Sequence, residues 1–215
     1  MDESESFSQY MDTKRLETLV DGIFAIAMTL LVLGLAVPVI RPPITNAGVE
    51  TALISIIPNF ISLVVSFILL AVFWKIHHRI FKQINKMNGT LLWINVVWLL
   101  FIVLVPFSAT LTGDYGAFTI ANVIFNIYML GIAILLYLNW HYADHKNFIH
   151  EKISDEEVTF TKIVNFSFIL VAITAIGLSY VIPQYSQTVY IIMLPIEMIV
   201  KFLMNLVKKG IKNDF

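Results

Sequence analysis

The sequence contains no cysteine, which excludes disulfides, thiolate catalysis and cysteine-based metal sites. Charge is also scarce. Asp, Glu, Lys and Arg make up 13% of the 215 residues, about half the share usual in soluble domains. The net charge of −1 gives no basic surface for a nucleic-acid partner. There is no Ser/His/Asp set, no His-Glu-x-x-His run and no phosphate loop, so nothing supports an enzyme or a bound cofactor. No arginine recurs at every third position, as a voltage sensor would require. No basic-then-apolar leader is visible. The first residues are acidic (Asp2, Glu3, Glu5, Asp12), so the first hydrophobic segment is expected to remain as a membrane helix.

What the chain does contain is apolar surface. Hydrophobic residues make up 58% of it, and the mean hydropathy is +0.81. A small soluble domain cannot bury that much, so lipid must act as solvent for much of the surface. Six apolar segments are each long enough to cross a bilayer core of about 30 Å. They run over residues 16–37, 52–80, 91–112, 117–140, 159–182 and 188–207. The expectation is one all-α, polytopic domain over 1–215 with six transmembrane helices. Turn chemistry marks the breaks: Pro38 and Arg41-Pro42-Pro43, Asn88-Gly89, Thr112-Gly113-Asp114, the polar run His141 to Glu157, and Pro183-Gln184. The second segment is long for one span, and Pro58 either kinks it or marks its first turn.

Orientation follows from Lys and Arg. Of the 14, all but Arg41 fall before the first segment, around the second–third and fourth–fifth connections, or near the C-terminus. This predicts a cell-membrane protein with both termini cytoplasmic. Aromatics near span ends, among them Trp74, Trp93 and Trp140, fit interfacial anchoring.

The first segment carries the most information. At about 100° per residue, Gly22, Ile26, Thr29, Leu30, Leu33 and Val37 form one stripe, with Asp21 about 140° away from Ile26. The stripe fits two structures. It is either an ordinary helix–helix seam or, if several copies surround an axis, a set of hydrophobic rings that gate ions by dewetting. Asp21, pointing away from the stripe, reads as a buried polar anchor to another helix. Arg15 lies at the end of the stripe, where an unpaired cation ring would repel cations. It is expected to pair with an acidic side chain unless the helix bends away.

Other polar residues have plainer readings. Thr112-Gly113-Asp114-Tyr115-Gly116 is a turn, with no room for a filter and its pore helix. His77 and His78 sit at the interface unless one of them bonds Asp21 or a neighbour. Glu197 and Lys201 have ion-pair spacing on one helix. Asn59, Asn95, Asn122, Asn126 and Asn165 read as interhelical hydrogen-bonding residues.

The stretch from Arg15 through Asp21 to Leu33 resembles the transmembrane protein 175 family of potassium channels. That family carries an arginine, a short spacer, Phe-Ser-Asp and then an apolar helix. Phe73-Trp74-Lys75-Ile76-His77-His78-Arg79 is similar to the family's second helix. The chain departs where Leu19-Val20 replaces Phe-Ser, removing a hydroxyl from the family's polar network. The resemblance implies a homotetramer, with self-association in the lipid bilayer and the first helix lining a central pore. It implies constrictions at Ile26, Thr29 or Leu30, and Leu33, a polar network around Arg15, Asp21, Trp74 and His77, and K⁺ as permeant ion. Two other readings stand beside it: a proton-coupled secondary transporter titrating Asp21 or Glu197, and a structural membrane protein without transport.

Overall fold

The computed structural model describes the backbone of residues 13–213 and the side chains of 13–206. Its first helix, α1 (Thr13–Leu30), tightens into a 3₁₀ turn over Leu31–Gly34. The 16–37 expectation therefore runs past the true end. The turn is fixed by a close approach. A Cβ at Gly34 would overlap Thr110 Oγ1, so a larger residue would not let this end seat on its neighbour.

The segment read as 52–80 is two helices, α2 (Asn46–Ser55) and α3 (Ile57–Gln83). Thr45 caps α2, its hydroxyl accepting from the Gly48 N–H at 3.1 Å. Pro58 stands in the first turn of α3, where its missing N–H leaves no bond unmade. Next come α4 (Gly89–Tyr115), α5 (Thr119–His145) and α6 (Asp155–Val181). Asn88 caps α4 and Ser154 caps α6, the latter followed by three acidic residues that suit a helix N-terminus. Thr112, Gly113 and Asp114 belong to α4, and the turn falls one step later, at 116–118.

The last segment also differs from the reading of 188–207 as one span. Pro183–Met193 is a 3₁₀ segment, and α7 (Ile196–Asn213) follows after a bend of 59°. Pro195, at the break, cannot donate an N–H to continue a helix. Among the described residues, five helical stretches are long and apolar enough to cross a membrane, or six if the bent pair counts as one span.

Successive long helices pack side by side, and α1 lies mainly on α4 and also on α3. Phe24, Trp98, Phe125, Trp140 and Phe168 fill the core. At one end the α3–α4 and α5–α6 connections pair through an isolated antiparallel bridge, Ile84 with Ile149. The Asn85 N–H donates to the Phe148 carbonyl at 2.8 Å, and the His150 N–H to the Gln83 carbonyl at 2.9 Å. The bridge brings Lys82, Lys86, Lys146 and Lys152 to the same end of the bundle.

Candidate functional site

Helix α1 has two distinct sides. Leu16, Val20, Phe24 and Ala27 are buried, and Leu31 continues that face into the 3₁₀ turn. The opposite stripe is exposed among the described residues. Ile26 is 59% exposed, Leu30 39% and Leu33 74%. Thr29 lies on the same side, its hydroxyl donating to the Ile26 carbonyl at 2.8 Å. With its proton so directed, Oγ1 keeps lone pairs free as an acceptor. Val37 falls beyond the helix.

Asp21 is exposed and not buried as the anchor reading required, yet it does bond another helix. Trp74 Nε1 donates to its Oδ1 at 2.8 Å. Trp74 stacks on His78, whose Nδ1 lies 3.9 Å from Glu17 on α1. Two contacts, one turn apart on each helix, thus join this end of α1 to α3. Arg15 is exposed, with no ion pair among the described residues.

His77 is not interfacial. It is buried, stacked between Phe81 and Trp98. Its Nε2 lies 2.9 Å from Asn95 Oδ1. Asn95 Nδ2 donates to the Leu91 carbonyl at 2.8 Å and to Asn139 Oδ1 at 2.6 Å. Both amide hydrogens of Asn95 are therefore spent, its oxygen must accept, and His77 must donate from Nε2. A polar ladder crosses α3, α4 and α5 in the core.

The asparagines divide by role. Asn126 Nδ2 donates to the Ala175 carbonyl and to Ser179 Oγ, and its Oδ1 accepts from the Tyr190 hydroxyl at 2.9 Å. One residue thereby ties α5, α6 and the 3₁₀ segment together. Asn59 donates to Asp114 across α3 and α4. Asn122 bonds only the Gly116 and Phe118 carbonyls beside its own helix start. Asn165 is buried without a side-chain partner among the described residues. Glu197 does not pair with Lys201 as its spacing suggested. It pairs with Arg79 and lies 3.9 Å from Lys75, both on α3. No group of three or more His, Asp or Glu among the described residues could hold a metal ion.

These features define a multi-pass α-helical membrane protein whose first helix packs by one face and leaves an apolar stripe free on the other. The family described as endosomal/lysosomal potassium channel TMEM175 matches residues 15–106. This chain is similar to that family over those residues. It is 33% identical over 135 residues to a potassium channel of Chamaesiphon minutus, covering 61% of this chain and 66% of that one. It is 29% identical over 133 residues to a potassium channel of Streptomyces collinus, covering 60% and 63%. The chain thus matches slightly less than two-thirds of these relatives' length. A crystal structure of a lysosomal potassium-selective channel TMEM175 homolog from Chamaesiphon minutus superposes with a TM-score of 0.77. Identity there is 26%, with 87% of this chain and 97% of that one covered.

Proposed function

We propose that this chain is the subunit of a homotetrameric potassium channel, a single six-span domain whose α1 helices surround a central pore. The observation that carries this reading is the exposed stripe of Ile26, Leu30 and Leu33 on a helix whose other face is buried. The names of the relatives support K⁺ as the permeant ion. Rings of Ile26, Leu30 and Leu33 control hydration and width along the axis. The four Thr29 hydroxyls offer acceptor oxygens between them. Asp21 holds α1 in place through Trp74, away from the ion path. Conduction is passive, driven by the K⁺ gradient, without a cofactor. The lysine-rich end faces the cytoplasm, which puts both termini there in the cell membrane.

The transporter reading lacks comparable support, since Glu197 is already engaged by Arg79 and Lys75. The test is reconstitution of the pure protein into liposomes with current or flux recording. K⁺ conductance is expected, altered by Ile26→Asn and by Leu33→Asn. Absence of conductance, or variants indistinguishable from the parent, would sink the pore assignment. A monomer in detergent and in bilayers would do the same, because one copy cannot build a ring.

A further inference from the structure

Helix α7 divides into three sectors. Ile196 and Val200 are buried against the bundle, and Met204 packs on the same face. A second sector is apolar and open: Met198 is 71% exposed, Phe202 61% and Leu203 53%. The third is polar, with Glu197, Lys201 and Asn205 on it. In the sequence, Lys208 and Lys212 follow Lys201 at helical spacing, and Lys209 lies between them.

A helix end that continued straight through hydrocarbon would be apolar over its whole free side. Here the free side is split between apolar and polar, the pattern of a helix lying along a membrane interface. Position agrees with composition. The 59° bend turns α7 away from the line of the preceding segment. The pairing of Glu197 with Arg79 and Lys75 fixes its start at the level where α3 ends among lysines.

We infer that α7 is a surface helix, with Met198, Phe202 and Leu203 sunk into the acyl boundary and Lys201 at the level of anionic phospholipid headgroups, to which the lysine-rich sequence that follows adds charge. Charge complementarity selects this occupant. Glu197 is already neutralised by its pairs, leaving Lys201, Lys208, Lys209 and Lys212 against Asp214 in this part of the sequence. Juxtamembrane lysine clusters of this kind attract anionic lipid by about 1 kcal/mol per residue near the surface. The inference does not depend on ion conduction.

The absence of native cysteine makes the test clean, because a single Phe202→Cys or Asn205→Cys takes a nitroxide without competing sites. The full-length protein is placed in phosphatidylcholine nanodiscs with and without phosphatidylglycerol. Collision with oxygen and with a water-soluble nickel chelate is then measured. The label at position 202 is expected to favour oxygen, and the label at 205 the nickel chelate. Phosphatidylglycerol should raise the oxygen preference at 202 severalfold, and Lys201→Gln/Lys208→Gln/Lys212→Gln should abolish that increase. Oxygen preference at both positions would instead make α7 a membrane-spanning end. Shielding of position 202 from both reagents would put a protein surface there. Indifference to phosphatidylglycerol would remove the role of anionic lipid. Each of these outcomes overturns the proposal.

Discussion

The indole of Trp74 on α3 donates to the carboxylate of Asp21 on α1 across 2.8 Å, and this bond stands at the surface. Exposure sets its strength. Water competes for both groups, so the bond contributes about 1 kcal/mol and not the larger amount expected in a dry interior. Asp21→Ala and Trp74→Phe are each expected to lower the thermal midpoint of the detergent-solubilised protein by a few degrees. The double variant should be little worse than either single one, since both remove the same bond. Fully additive losses in a thermal melt would mean the two residues act separately.

The His77–Asn95–Asn139 ladder lies in the core, where an orphaned donor has no water to turn to. Asn95→Leu should therefore destabilise by about 2 kcal/mol, because it strands His77 Nε2–H and Asn139 Oδ1 together. Adding His77→Phe removes one stranded donor and should recover part of that loss. Chemical unfolding in mixed micelles reads both. A double variant weaker than the single one would count against the assigned direction of the His77–Asn95 bond.

Two glycines meet different neighbours. At Gly113 a Cβ would stand 2.9 Å from the Asn59 Cα, a backbone atom that cannot swing aside. At Gly131 it would overlap the edge of the Phe101 ring, a half-buried side chain and not backbone. Gly113→Ala is accordingly expected to lower the yield of folded protein far more than Gly131→Ala. Size-exclusion profiles of the two variants provide the comparison.

Glu197 is held by Arg79 and Lys75, away from α1. Glu197→Gln is expected to leave K⁺ flux through liposomes close to the parent value while reducing thermal stability by about 1 kcal/mol or less, the usual size for a partly exposed pair. Loss of flux in a variant that still folds would return Glu197 to consideration as a transport group.

How much of this was legible in the sequence depends on whether a residue's partner is local. The stripe on α1 is a matter of spacing along one helix, and Ile26, Leu30 and Leu33 are exposed among the described residues. Membrane character and the break points near Asn88 and Ser154 are likewise local. Partners on other helices were hidden. That Trp74 reaches Asp21, and that His77 turns inward to Asn95, follows from packing angles that periodicity does not encode. The division between α2 and α3 left a sign in Pro58, read as a kink or a first turn, while apolar residues on both sides of Ser55 joined the two helices into one segment. The bend before α7 did have a signal in Pro195, set between apolar residues that made the segment read as one span.

The 3₁₀ form of Pro183–Met193 fixes a length as well as a shape. Eleven residues wound at about 2.0 Å each reach about 22 Å, whereas an α-helix of the same residues would reach about 17 Å. The shortfall on relaxing to an α-helix is close to one helical turn. Such a change would draw Glu197 back by that amount, out of register with Arg79, unless the Tyr190–Asn126 bond slipped too. Overwinding here works as a spacer: the pitch of one segment and the pairing of a side chain beyond it are a single mechanical unit, and neither can change alone.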